Sequence, residues 1–104
     1  MGREKVGGIN DIPNGTTLSC TLNGTKIAVC NVDGSFYAIE DICTHDGGVL
    51  DQGTLEANII TCPRHGATFD VMTGEALSMP AVVPVKTFPV EIESDAIYVK
   101  TDGD

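Results

Sequence analysis

The sequence predicts an all-β fold, a small antiparallel sandwich or barrel, on three observations. Apolar and polar residues alternate in several short runs, as they do in half-buried strands. Turn sequences that contain glycine or proline separate these runs, and no stretch carries a helical period of useful length. Short strands joined by such turns are typical of small antiparallel β proteins. The length of 104 residues suits one domain, so we expect a single domain over residues 1–104.

The first half of the chain predicts a three-stranded meander. The three runs are residues 17–22, 25–32 and 35–40, and the two turns between them are Asn23-Gly24 and Asp33-Gly34. Asn-Gly is a strong hairpin signal because both residues tolerate a positive φ. In the first run Leu18, Cys20 and Leu22 fall on one face, which we expect to be buried.

The second half predicts shorter strands around a central loop. The predicted strands are residues 57–61, 68–71, 86–93 and 96–100, with turns at Thr73-Gly74 and Ser94-Asp95. The polar tail, residues 101–104, is expected to fray.

The charge balance excludes several kinds of partner. Six basic against fifteen acidic residues give a formal net charge of -9. Nucleic acid and anionic membranes would repel such a chain, so we expect neither as a partner. The surplus of carboxylates aids solubility, or it guides docking onto basic surfaces of partner proteins. No run is long and apolar enough for a membrane helix or a signal peptide, which predicts a cytoplasmic location.

Two of the four cysteines are expected to be small core residues. A two-residue turn at Asn23-Gly24 pairs Cys20 with Ile27 and Thr17 with Cys30. In that register Cys20 and Cys30 are neither opposite each other nor on the same face, so a disulfide between them is geometrically poor.

The other two cysteines belong to a candidate metal site. Cys43-Thr44-His45 and Cys62-Pro63-Arg64-His65 are separated by sixteen residues, and glycines follow in both segments. Two thiolates and two imidazoles suit zinc or an iron–sulfur centre. A zinc finger normally pairs its cysteines in one knuckle and its histidines on a helix, whereas each segment here mixes the two. A catalytic Cys–His pair is a further alternative, but it leaves the duplicated arrangement unexplained.

This pattern of C-x-H and C-x2-H resembles the fingerprint of Rieske-type 2Fe–2S ferredoxins, the ferredoxin components of bacterial ring-hydroxylating dioxygenase systems. The similarity extends to residues 69–76, which follow the second segment, and to residues 80–84, which resemble a proline loop that covers the cluster. It implies one 2Fe–2S cluster, with Cys43 and Cys62 on the buried iron and His45 and His65 on the outer iron. It also implies a Rieske-like antiparallel β-sandwich with a small cluster-binding subdomain over about residues 41–80.

Departures from high-potential Rieske proteins predict a low reduction potential. Gly48 and Arg64 replace the two cysteines that form a disulfide there, while Ala67 and Phe69 replace a serine and a tyrosine. Hydroxyl groups that bond to the cluster sulfurs raise the potential, so we expect a value toward the low end of the Rieske range of about −150 to +300 mV. Val49, Leu50, Met79 and Pro80 are candidates either for shielding the cluster or for the core.

The resemblance implies a one-electron carrier that is not itself an enzyme. Its expected donor is a flavin-containing reductase and its expected acceptor is a terminal oxygenase, with His45 and His65 at the docking face. A small subunit of a nitrite reductase, or of another larger oxidoreductase, is the alternative. A structural zinc module is a third possibility, which colour and metal content would distinguish.

Overall fold

The computed structural model describes residues 3–42, 50, 53–63, 66–78 and 83–101. Within these ranges it contains ten strands and one turn of 3-10 helix, Ile9–Asp11. The strands are β1 (Glu4–Gly8), β2 (Thr17–Leu22), β3 (Thr25–Val32), β4 (Ser35–Glu40), β5 (Thr54–Glu56), β6 (Ile59–Thr61), β7 (Thr68–Asp70), β8 (Thr87–Phe88), β9 (Val90–Glu93) and β10 (Ala96–Val99). No helix in the described part of the chain has the length and apolar character needed to cross a membrane.

The strands form three antiparallel sheets. The outer sheet has the order β1-β10-β9, the central sheet β2-β3-β4-β8, and the hairpin sheet β5-β6-β7. All of the pairings between the described strands are antiparallel. The predicted all-β antiparallel fold is therefore confirmed.

Two apolar cores lie on opposite faces of the central sheet. The first core joins it to the outer sheet and contains Ile12, Leu22, Ile27, Val29, Ala38, Phe88, Ile97 and Val99. The second core joins it to the hairpin sheet and contains Ala28, Cys30, Ile39, Leu50, Leu55, Ile60, Cys62, Ala67, Phe69, Val71 and Val85. Successive residues of β3 alternate between the two cores, because neighbouring side chains of a strand point to opposite faces. The second core contains Cys62, one of the predicted ligands.

The predicted meander is confirmed together with its register. Leu22 pairs with Thr25, Cys20 with Ile27, and Thr17 with Cys30. Asn23 has a φ of 53° and Gly24 a φ of 80°, the positive values that a two-residue hairpin turn requires. The face of β2 that carries Leu18, Cys20 and Leu22 packs into the first core, as the alternation indicates.

The prediction of one strand over residues 86–93 is wrong. The segment divides at Pro89 into β8, which pairs with β4 in the central sheet, and β9, which pairs with β10 in the outer sheet. Proline has no amide hydrogen to donate to a ladder, so a change of sheet at this residue sacrifices no hydrogen bond from it. The Pro89 carbonyl still accepts a hydrogen bond from the Lys100 amide at 3.1 Å.

The prediction of a strand over residues 57–61 is correct only in its second part. Ala57, with a φ of 53°, and Asn58 form the turn between β5 and β6, and the strand proper is Ile59–Thr61. Likewise, the strand predicted over residues 68–71 ends at Asp70, and Val71 begins a turn. Strands β1 and β5 are additional to those predicted.

Candidate metal centre

Cys62 is the one member of the predicted ligand set that lies within the described residues; Cys43, His45 and His65 lie outside them. It directly follows β6, and only 1% of its surface is exposed. Its thiol forms no disulfide. Among the residues that the structure describes, no three His, Cys, Asp or Glu side chains come together as a metal site.

Main-chain hydrogen bonds hold both ends of the loop that carries Cys62. The Cys62 amide donates to the Ala67 carbonyl at 2.7 Å, and the Gly66 amide donates to the Cys62 carbonyl at 3.1 Å. Just before this closure, Thr61 and Thr68 form the last registered pair of β6 and β7. The main chain at residue 62 is therefore fixed by the hairpin sheet at the point where β6 ends.

The surroundings of Cys62 are apolar. Ala67 and Phe69 are fully buried and belong to the same core as Cys62. Leu50 is also fully buried in this core. Val49, Met79 and Pro80 lie outside the described residues. Neither Ala67 nor Phe69 carries a hydroxyl group, so neither side chain can donate a hydrogen bond to a sulfur atom.

A buried carboxylate lies at the base of the first predicted ligand segment. Asp41 is 2% exposed, and its Oδ1 accepts a hydrogen bond from the Leu50 amide at 2.7 Å. Its own amide donates to the Lys26 carbonyl at 2.8 Å, and the Ser19 hydroxyl approaches Oδ2 at 3.4 Å. The sequence reasoning did not single out Asp41. The available signal was an acidic residue at the end of a predicted strand, two positions before Cys43.

The remaining described cysteines, Cys20 and Cys30, lie on strands β2 and β3 and not in a loop. Both are free thiols, which confirms the prediction that they do not pair. Burial raises the pKa of Cys30 to about 11, against the opposing effect of the Thr17 hydroxyl, whose Oγ1 lies 3.8 Å from the sulfur. Burial also raises the pKa of Cys20, and the Asp41 carboxylate adds to that effect. Cys30 shares the second core with Cys62, whereas Cys20 packs against the first core.

The residues present fit a soft metal centre. A buried, unbridged thiol sits at the end of a hairpin whose main chain is fixed, and thiolate is the donor that iron–sulfur clusters require. The loop that continues from it contains His65, and the segment that begins after Asp41 contains Cys43 and His45. Leu50, which follows that first segment in the chain, lies in the same core as Cys62.

Comparison with known proteins agrees with this chemistry. Residues 3–89 match the model of the Rieske [2Fe-2S] domain family. The chain is 39% identical over 94 residues to the ferredoxin component of the naphthalene 1,2-dioxygenase/salicylate 5-hydroxylase systems of Ralstonia sp., covering 90% of each chain. It is 38% identical over 103 residues to the biphenyl 2,3-dioxygenase ferredoxin component of Rhodococcus jostii (strain RHA1), covering 99% of this chain and 96% of the relative.

A solved structure shows the same fold. In the complex of reduced oxygenase and oxidised ferredoxin of carbazole 1,9a-dioxygenase, the matching chain superposes with a TM-score of 0.90 at 40% identity. The match covers 93% of this chain and 91% of that one. These comparisons confirm the predicted Rieske-like fold and a 2Fe–2S cluster as the cofactor, and they favour iron–sulfur over the zinc and catalytic Cys–His alternatives. Because the family model covers most of its length, the chain belongs to the Rieske [2Fe-2S] domain family.

Proposed function

We propose that this protein is a one-electron carrier whose cluster is held by Cys43, His45, Cys62 and His65. The observation that carries the proposal is the match, over about nine-tenths of both chains, to ferredoxin components of dioxygenase systems. When bound, a Rieske cluster supplies reversible one-electron chemistry. Cys62 would serve it as a thiolate, held by the main-chain closure to Ala67.

The partners follow from the named systems. The carbazole 1,9a-dioxygenase structure contains a ferredoxin together with its oxygenase. We infer that a terminal, ring-hydroxylating oxygenase is the electron acceptor of this chain and that a flavin-containing reductase is the donor. The protein itself would then be an electron-transfer component and not the enzyme that acts on the aromatic compound. The reported relatives favour this function over that of a nitrite reductase subunit.

The charge and architecture are consistent with a diffusing carrier. A net charge of -9 favours encounter with basic partner surfaces and disfavours nucleic acid and anionic membranes. We propose one domain over residues 1–104 with a cytoplasmic location. Within it, residues 41–80 would be the cluster-binding part, since they include the hairpin sheet and all four proposed ligands.

The ligand set is tested by metal analysis of the wild type and of single alanine variants. Protein purified without added metal is expected to be red-brown and to contain two irons and two acid-labile sulfides per chain, as a 2Fe–2S cluster requires. Replacing Cys43, His45, Cys62 or His65 should abolish the cluster. Cys30→Ala is the matched control, because Cys30 is a buried free thiol of the same core but lies on β3. Colourless wild-type protein that contains zinc, or cluster loss in the control alone, would refute the assignment.

The carrier role is tested by reconstitution. The reduced protein should transfer its electron to the terminal oxygenase of a ring-hydroxylating system, and a flavin-containing reductase should reduce it again. The rate should fall as ionic strength rises, because salt screens the attraction between an acidic carrier and a basic docking surface. The proposal fails if the intact holoprotein exchanges electrons with a nitrite reductase system but with none of the oxygenases.

A further inference from the structure

The Asp41–Leu50 hydrogen bond spans the first proposed ligand segment. Asp41 directly follows β4, and its amide donates a hydrogen bond to the Lys26 carbonyl of β3. Its carboxylate reaches nine positions along the chain to the Leu50 amide, at 2.7 Å. Both residues are buried, with exposed fractions of 2% and 0%. The bond therefore closes the base of the segment that contains Cys43 and His45, in a place where water cannot replace a lost partner.

The same segment is connected to the loop of Cys62. The Leu50 carbonyl accepts a hydrogen bond from the Gly53 amide at 2.9 Å. Gly53 lies so close to β6 that a Cβ atom built on it would be 1.8 Å from the Thr61 carbonyl oxygen. Thr61 directly precedes Cys62. The Asp41 carboxylate, the Leu50 and Gly53 main chain and Thr61 thus form a continuous series of contacts that ends at the residue before Cys62.

We propose that Asp41 is a positioning residue for the cluster: its carboxylate fixes the first ligand segment at its base and aligns it with the loop of Cys62. This inference rests on the proposed ligand set. Removing an outer partner that orients metal ligands typically costs roughly 10–100-fold in metal affinity. In this proposal Asp41 acts through its hydrogen bond from the Leu50 amide.

The experiment compares Asp41→Asn with Asp41→Ala in the holoprotein. The amide oxygen of asparagine can still accept the Leu50 hydrogen bond, whereas alanine cannot. On incubation with an iron chelator, Asp41→Ala should lose its visible absorbance roughly 10–100-fold faster than the wild type. Asp41→Asn should lose it at the wild-type rate. The electron paramagnetic resonance g-values of the reduced cluster should be unchanged in Asp41→Asn and shifted or broadened in Asp41→Ala.

Asp11→Ala is the matched control. Asp11 Oδ2 also accepts a hydrogen bond from a main-chain amide, that of Gly8 at 2.8 Å, but at the edge of the outer sheet. This variant should keep both the wild-type cluster lifetime and the wild-type g-values. If it loses the cluster as fast as Asp41→Ala, the effect is one of general stability and the inference is overturned.

Asp41→Leu covers the case in which Asp41→Ala does not accumulate as folded protein, because leucine fills the site without an acceptor. Loss of the cluster in Asp41→Leu with retention in Asp41→Asn supports the inference. Equal retention in both, or equal loss in both, overturns it. Wild-type protein without iron would instead refute the ligand set, so the two failures are distinguishable.

Discussion

The Cys62 amide donates its hydrogen bond to the carbonyl of Ala67 across the base of the second ligand loop, at 2.7 Å. Ala67 closes this loop and Phe69 follows two residues later, and both side chains are fully buried. Hydroxyl groups at these two positions are what the resemblance associates with high-potential Rieske proteins. The double variant Ala67→Ser/Phe69→Tyr should therefore raise the midpoint potential, on the order of 100 mV, because two donors stabilise the added negative charge on reduction.

Redox titration followed by absorbance measures this change. Phe88→Tyr is the control, because Phe88 is 7% exposed and belongs to the core between the central and outer sheets, whereas Cys62 belongs to the other core. It adds the same hydroxyl group and should leave the potential unchanged. A double variant whose potential stays constant or falls would contradict the explanation given for the low value.

Gly74→Ala should destabilise the protein more than Gly24→Ala. The two glycines have similar φ angles, 85° and 80°. A Cβ atom at Gly74 would lie 2.2 Å from the Val85 carbonyl oxygen, whereas one at Gly24 would meet nothing within 4 Å. The left-handed conformation alone costs about 1–2 kcal/mol in each variant. The clash should add about 1–3 kcal/mol for Gly74→Ala, as overpacking does. Equal unfolding free energies in denaturant titrations of the two holoproteins would show that the Val85 contact is unimportant.

Glu91→Gln should lower the melting temperature slightly at neutral pH and not at all in acid. The pKa of Glu91 is lowered by its hydrogen bonds with Lys100 first and Arg3 second. The Lys100 Nζ lies 3.0 Å from Glu91 Oε2, and the Arg3 Nη1 lies 3.0 Å from Oε1. Because the folded-state pKa is lowered, this stabilisation is present above the unfolded-state pKa of about 4.3 and is lost as the pH falls through the folded-state value.

Melting curves recorded from neutral to acid pH, at low salt and at about 1 M salt, test the ion pairs of Glu91 with Lys100 and Arg3. High salt should remove most of the difference, since all three side chains are partly exposed. Glu56→Gln is the control, as Glu56 is an exposed glutamate with no ion pair among the described residues. A difference that persists in acid would mean that the effect of Glu91 is not electrostatic.

Iodoacetamide should modify Cys20 well before Cys30 in the native holoprotein. The thiolate is the reactive form, and a pKa of about 11 leaves the Cys30 thiolate about a hundredfold scarcer at pH 8 than the ordinary value of 9.0 would. Cys30 is also fully buried, whereas Cys20 is only half-buried. Mass spectrometry of digested samples distinguishes the two sites. Similar modification rates for the two thiols in the folded protein would contradict the burial of Cys30. In denaturant, where both thiols are exposed, similar rates are expected.

The sequence alone determined the features that depend on near neighbours in the chain. The meander over residues 17–40 and its register follow from two-residue turns whose positive φ angles Asn, Asp and Gly tolerate. The same register makes a disulfide between Cys20 and Cys30 geometrically poor without any knowledge of the fold. The chemistry of the candidate centre was also readable, because thiolate and imidazole donors at a fixed spacing indicate a soft metal site.

Only the tertiary structure decided how distant segments pair. Residues 86–93 alternate throughout, but Pro89 divides them between two sheets, and periodicity does not specify a strand's partner. β1 contains Gly7 and Gly8, which weaken its local preference, so its pairing with β10 at the other end of the chain defines it. The role of Asp41 likewise depends on the Leu50 amide nine residues away. In each case the free energy that stabilises the arrangement comes from contacts between residues that are not neighbours in the sequence, and local patterns do not encode such contacts.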